Sequence, residues 1–347
     1  MPTTRIQLSI IIVSWNSRAL LDACLRSVGG GPWAVGRDAS AETIAKVTVG
    51  EVQDFASIIT TAHGPPPTAH RPPPTELIVV DNASPDGTAA WLRTAWPAVR
   101  LIASATNLGF GRANNRGMAI ARGDWLLLLN PDTVVQPGAL DTLLAFGDSH
   151  PAAGVIAPRL RYGDGSLQRN AFRFPGPLQV ALDVFPLHPR LLESPLNGRY
   201  PAERQADAAP FLIDHPLGAA LLVRRAVVDT VGGFDEGFFM YAEEVDWCRR
   251  IRAAGWEIWQ VPAAEIVHLA GQSTRQRAGQ MTVELWRARY RYFAKHRGRA
   301  VNRVVRGLVR LGMVRKALAV TWDQARGRLT PGEARALRRT YGAVFRL

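Results

Sequence analysis

Cysteine is nearly absent from this sequence: Cys24 and Cys248 are the only two in 347 residues. Two thiols exclude a disulfide framework and a thiolate metal site, and they fit a reducing compartment. Long apolar runs are also missing. No stretch reaches the roughly 18 apolar residues that a membrane-crossing helix needs, and the longest candidate, residues 125–129, reads as a buried strand. The opening MPTTRIQLSIIIVSWNS has one basic residue before a short apolar run and turns polar at Trp15-Asn16-Ser17. Without a small-residue cleavage site it argues against a secretory signal. Acidic residues are scarce in one region. From residue 271 onward Glu284, Asp323 and Glu333 stand against 19 Lys plus Arg, a local charge of +16, whereas the first 270 residues sum to −3. A near-neutral body with a basic tail suggests an anionic partner for the tail, or else a solvated arginine-rich face.

What is present is ordinary for a globular chain: 47% hydrophobic and 20% charged residues, enough to bury a sizeable core. The length fits about two domains, or one large α/β domain with appendages. Hydrophobic periodicity predicts a strand over 6–13, a helix over 20–28, a strand over 76–80, a helix from 88 to about 96 and a short strand over 99–103. A helix over 111–122, a strand over 125–129 and a helix over 138–146 follow. Strands alternating with helices at this spacing imply a largely parallel sheet covered on both faces. Ligands of such sheets sit beyond the carboxyl ends of the strands, where residues 14–16, 81–86 and 130–132 form three polar clusters on one rim.

Residues 29–75 break this rhythm and end in Gly64-Pro65-Pro66-Pro67 and Arg71-Pro72-Pro73-Pro74. The composition reads as a surface insertion with a stiff linker, with a small strand or hairpin arm over 46–52. After 154 the chain is proline-rich and irregular. Order returns with a strand over 217–223, a helix over 225–231, a helical pattern over 241–254, strands over 258–261 and 266–268, and helix beyond 281.

Several polar groups invite a chemical reading beside a structural one. Asn130-Pro131-Asp132 is a strand-ending turn by default. At the end of the most apolar strand, however, a lone carboxylate suits a hard divalent cation bridging a diphosphate. Asp81 follows a buried strand directly, where an acceptor can grip a ribose or base. Gly109-Phe110-Gly111 lacks the third glycine of a dinucleotide fingerprint, which makes a nicotinamide enzyme a weak reading. Glu243, Glu244 and Asp246 favour the positive end of a helix. Adjacent carboxylates also raise one another's pKa, which suits a general base. His268 ends a strand; an isolated histidine becomes a ligand only in context.

In order, Ser14-Trp15-Asn16, Val79-Val80-Asp81-Asn82-Ala83-Ser84, Asn107-Leu108-Gly109-Phe110-Gly111 with Asn114-Asn115, Leu129-Asn130-Pro131-Asp132-Thr133, Gly232-Gly233-Phe234-Asp235-Glu236, Phe239-Met240-Tyr241 with Glu243-Glu244-Val245-Asp246, and His268 resemble inverting family 2 glycosyltransferases. The resemblance is to the bacterial rhamnosyltransferase-like branch and runs from about 6 to 295, apart from the insertion. It implies the GT-A fold, an α/β domain with a Rossmann-like, mostly parallel sheet, over 1–280, with a basic helical extension over 281–347. It implies a nucleotide-diphospho-sugar donor near Ser14, Asn16, Asp81, Asn82, Ser84, Asn107, Gly109, Asn114 and Asn130. A divalent metal, Mg²⁺ or Mn²⁺, would be held by Asp132 and His268. Glu244 would be the catalytic base, with Glu243 the alternative. The implied reaction moves a sugar, rhamnose in this branch, to a lipid-linked or polysaccharide acceptor of the cell envelope, in the cytoplasm or on the inner face of the membrane. A transferase for another sugar and a catalytically lapsed nucleotide-sugar-binding protein are the competing readings.

In the tail, Arg299, Arg303, Arg306 and Arg310 fall within a helical sector of roughly 60°. Val301, Val304, Val305, Leu308 and Leu311 face away from them. That pattern suits an anionic membrane surface, or a helix packing its apolar stripe on the catalytic domain. Nucleic acid is not expected, since the body carries no binding motif for it.

Overall fold

The computed structural model describes residues 5–28, 74–269 and 278–347. The expected insertion over 29–75, with its strand at 46–52, therefore lies almost wholly outside the described residues. A ten-stranded sheet forms the centre. Its first half is parallel: β1 (Leu8–Ser14), flanked by β2 (Thr75–Asp81) and β4 (Trp125–Leu129), with β3 (Arg100–Ala103) outside β2. Beyond β4 the order continues with β11 (Ala220–Arg224), β6 (Ala153–Arg161), β12 (Glu257–His268) and β5 (Thr133–Val135). Strand β11 runs antiparallel to both neighbours, and β12 is parallel to β6 but antiparallel to β5. The segments expected at 258–261 and 266–268 are thus one strand, whose register slips between Val261 and Glu265.

Strand alternation splits the buried residues between two faces. Leu8, Ile10 and Ile12 join one core with Leu21 and Leu25 of α1 (Arg18–Val28), Leu92 of α2 (Thr88–Ala95) and Leu143 of α4 (Ala139–Ser149). Ile11, Leu126 and Leu128 point the other way. They meet Met118 of α3 (Phe110–Ile120), Val227 of α8 (Arg225–Val231), and Trp247 and Ile251 of α9 (Glu243–Ala253). Full burial of each such side chain contributes about 1.5–3 kcal/mol, and covering both faces is what a parallel sheet requires. Between β6 and β11 lie β7 (Leu167–Gln168), β8 (Ala171–Phe172), α5 (Pro177–Val184), α6 (Pro189–Leu192), α7 (Ala202–Ala206), β9 (Phe211–Leu212) and β10 (His215–Pro216).

Three helices close the chain: α10 (Ala278–His296), α11 (Gly298–Ala325) and α12 (Pro331–Arg346). They share a core with α5, in which Val180 and Val184 meet Tyr290, Phe293, Val305, Val309 and Met313. Buried charge pins α10 to the body. Asp246 is fully buried and receives Lys295, His296 and Arg250 at 2.7, 2.7 and 3.0 Å. The sequence-based division of α11 into one basic and one apolar face needs correction. Arg306 and Arg310 bond the carbonyls of Leu347 and Phe345, the negative end of α12. The apolar residues separate into two sets. Val305, Val309 and Met313 face inward, while Val304, Leu311, Leu318 and Trp322 are 58–66% exposed. A 28-residue helix resting on several neighbours turns a different face to each, which a single helical wheel does not capture.

Candidate active site

The carboxyl ends of β1, β2 and β4 stop at one rim. Ser14 lies opposite Asp81 in register, and Leu129, opposite Ile12, leads into Asn130. The first two turns interlock. Asn16 N–H donates to Ser84 Oγ at 3.0 Å, and Ser84 N–H donates to Asp81 Oδ1 at 3.3 Å. Asn82 reaches the third loop. Its Oδ1 accepts from Leu108 N–H at 2.8 Å, while Nδ2 donates to Asn107 Oδ1 at 3.0 Å and to Gly109 O at 3.2 Å. Asn114 is buried and donates to Phe110 O within its own helix. The amides of Asn82, Asn107 and Asn114 thus bond protein atoms and shape the rim, and Ser14 and Asp81 are buried at the same strand ends, Ser14 Oγ lying 3.0 Å from Ser17 Oγ. Gly109 has φ +79°, and a Cβ there would overlap the Phe239 carbonyl, which itself accepts from Phe110 N–H. Only glycine allows this close approach.

Pairing of β5 with β12 sets Thr133 opposite His268 and brings Asp132 beside it. Asp132 Oδ1 lies 3.4 Å from His268 Nε2, and Leu269 N–H donates to the Asp132 carbonyl at 2.9 Å. Both side chains are buried. His268 Nδ1 is 2.9 Å from Gln168 Oε1. With that oxygen accepting, Nδ1 carries the ring proton, and the Nε2 lone pair faces the carboxylate. Two acceptors aimed at one point, with the second ring nitrogen held by an outer partner, is a donor set suited to a divalent cation. Nothing in the sequence marked Gln168, which a two-residue strand delivers.

The acidic segment opens with a strained turn. Tyr241 and Ala242 have φ +71° and +61°, a left-handed pair costing about 1–3 kcal/mol each. This turn points the next two carboxylates in different directions. Glu243 is 3% exposed, packs against Gly111, and leaves Oε2 buried without a hydrogen bond. Burial, then the charge of Glu244, pushes its pKa well up. Glu244, half-buried, reaches the wall of an open cavity, and desolvation raises its pKa to about 7. Its side chain lies against Gly218, one residue before Ala219, whose carbonyl accepts from Asn130 N–H at 2.9 Å. Glu244 and Asn130 therefore contact adjacent residues, Gly218 and Ala219, at the entry to β11.

A mixed α/β sheet covered by helices on both faces, with its polar clusters gathered on one rim, is the architecture of the GT-A fold. A model described as "Glycosyl transferase family 2" matches residues 68–232. The N-acetylglucosaminyl-diphospho-decaprenol L-rhamnosyltransferase of Mycobacterium tuberculosis (strain H37Rv) is 35% identical over 211 residues, 57% of this chain and 67% of that one. Rhamnosyltransferase WbbL of Escherichia coli K12 is 28% identical over 196 residues, 54% and 71% of the two chains. The mannosyltransferase PcManGT of Pyrobaculum calidifontis, solved with GDP-Man and Mn²⁺, shares the fold at TM-score 0.53 and 14% identity, over 99% of this chain and 86% of that one. The chain belongs to glycosyl transferase family 2.

Proposed function

We propose that this glycosyltransferase moves rhamnose, with inversion, from a nucleoside-diphosphate donor to a lipid-linked acceptor in cell-envelope glycan synthesis. The observation that supports the reading is that Glu244, in the wall of a cavity, lies against Gly218, while Asn130, two residues before the Asp132 that pairs with His268, bonds the adjacent Ala219. The names of the two rhamnosyltransferase relatives supply the sugar and, from the mycobacterial one, the lipid diphosphate acceptor. Ser14 and Asp81 hold the nucleoside end, and Asp132 and His268 are the protein ligands of a divalent metal, Mg²⁺ or Mn²⁺. Asp132 and His268 would hold the metal from the protein side, and a divalent cation there would leave positions for oxygen ligands. Bound there, the metal supplies charge neutralisation at the leaving diphosphate. Glu244 takes the proton of an acceptor hydroxyl as that oxygen bonds the anomeric carbon, while the bond from that carbon to the diphosphate oxygen breaks on the opposite face and nucleoside diphosphate leaves. A pKa near 7 suits this task. The test is transfer from a panel of nucleoside-diphospho-sugars to N-acetylglucosaminyl-diphospho-polyprenol. We expect rhamnose to be transferred with divalent metal and not in EDTA; preference for another sugar would replace rhamnose in the reading.

We further assign residues 1–280 to the transferase domain and 281–347 to an extension that rests on an anionic lipid surface at the inner face of the membrane. No described helix is long and apolar enough to cross a membrane. The outer stripe of α11, Val304, Leu311, Leu318 and Trp322, is apolar and belongs to a strongly basic segment, the combination that favours interfacial docking. Leu311→Asp with Leu318→Asp is expected to leave the melting temperature within a few degrees, because both side chains are exposed, and to release the protein from anionic vesicles in co-sedimentation. Undiminished vesicle binding would end this assignment. Truncation at Arg299 is the weaker experiment, since it removes the buried Val305, Val309 and Met313.

A further inference from the structure

We infer that Arg173 and Arg199, in the cavity beside Glu244, bind the diphosphate of the acceptor. The cavity has a water-accessible volume of about 260 Å³ and lies between residues 172–199, the Tyr241–Glu244 turn and α10. Three arginines reach it, with Asp183 and Glu244 as the lining carboxylates. Asp183 is taken: it pairs with Arg289 at 3.0 Å. The nearby Asp214 is engaged by Arg252 at 3.3 Å and by Phe174 N–H at 2.9 Å. Among the described residues Arg173 and Arg199 have no carboxylate partner. Each lies over a ring instead, Arg173 over Tyr200 at 5.4 Å and Arg199 over Phe172 at 4.8 Å. Arg199 Nε is moreover buried without an acceptor. His215, also in the wall, is held neutral: burial pushes its pKa down to about 4.

Leaving a buried guanidinium N–H unpaired, as at Arg199, is costly, and that group together with the exposed Arg173, each set on an aromatic face, makes a preorganised site for a multiply charged anion. The rim argues for which anion. Ser14, Asp81, Asp132 and His268 are all absent from the cavity lining, so the donor's phosphates belong to another part of the site. Glu244 is in the lining, so a molecule presenting a hydroxyl to the base brings its own anion to the arginines. A sugar linked through a diphosphate to a lipid has this chemistry. The inference rests on the acceptor class proposed above.

Two measurements on the full chain separate the two readings. The first is steady-state transfer to N-acetylglucosaminyl-diphospho-polyprenol and to an uncharged alkyl N-acetylglucosaminide, with Arg173→Gln, Arg199→Gln and Arg199→Lys. The Gln variants should raise KM for the diphosphate acceptor about 10-fold or more, the effect of losing one hydrogen bond to a charged group. The alkyl glycoside KM and the donor affinity should not change, and Arg199→Lys should recover part of the loss. Equal losses on both acceptors, or a fall in donor affinity, would overturn the assignment. The second is calorimetry with inorganic pyrophosphate in EDTA, which removes metal-dependent binding at the donor rim. Binding by wild type that the double Gln variant loses supports the arginine site even if no rhamnose is transferred, in which case only the broader reading fails. Normal transfer with pyrophosphate binding and KM untouched by the variants would sink the arginine site alone. Melting curves confirm that each variant is folded.

Discussion

Glu244→Gln is expected to bind donor as wild type does and to lose transfer by a factor of about 10² or more, the contribution of a positioned base. The pH profile should change with it. Because burial raises the Glu244 pKa to about 7, wild-type kcat should climb as pH rises through about 7 and then level, and the Gln variant should lack this limb. Glu243→Gln should cost much less, since that carboxyl packs on Gly111 away from the cavity. It should instead stabilise the protein at alkaline pH. A carboxyl whose pKa is raised on folding binds protons more tightly in the native state, so it destabilises the fold as pH rises above the ordinary glutamate value. Removing the charge of a buried group with one oxygen unpartnered relieves that. Rapid-quench transfer and melting curves at pH 6 and 8.5 test both statements. A larger transfer loss in Glu243→Gln would move the base by one residue.

Asp132→Ala is expected to abolish metal-dependent binding of a nucleoside diphosphate, measured by calorimetry with Mn²⁺. Two proposed protein ligands, Asp132 and His268, leave little redundancy, and losing the charged one removes the stronger attraction. The Asp132 side chain is 10% exposed, so a melting curve must accompany the titration. Gln168→Leu gives a second, gentler arm. It leaves Asp132 and His268, the proposed metal ligands, in place but removes the acceptor for His268 Nδ1, a change expected to weaken metal affinity about 10- to 100-fold. Unchanged Mn²⁺-dependent affinity in Asp132→Ala would exclude the metal assignment.

Local sequence carried a large part of the architecture. Residues 8–14, 75–81 and 125–129 are short apolar runs stopped by Asn, Asp, Ser or Pro, and turn chemistry of this kind acts over a few residues. Their shared rim was legible because parallel strands in an alternating pattern end on one side. The irregular stretch after 154 was much less so. Its strands of two residues carry no period, and β6 runs straight through Pro158. Gln168, Arg173, Arg199 and His215 all come from this region, where sequence spacing says nothing about neighbours.

By itself, then, the sequence determined the element order of the first half, the rim clusters and the candidate carboxylates, because these depend on periodicity and on contacts within a few residues. Tertiary structure alone decided three matters. It put His268 beside Asp132 through the β5–β12 register, across more than a hundred residues. It turned Glu244, and not Glu243, toward a cavity through two consecutive left-handed residues whose cost is met by packing around them. And it divided the apolar residues of α11 between a core and an open face, because burial of each side chain depends on what the rest of the chain brings to it.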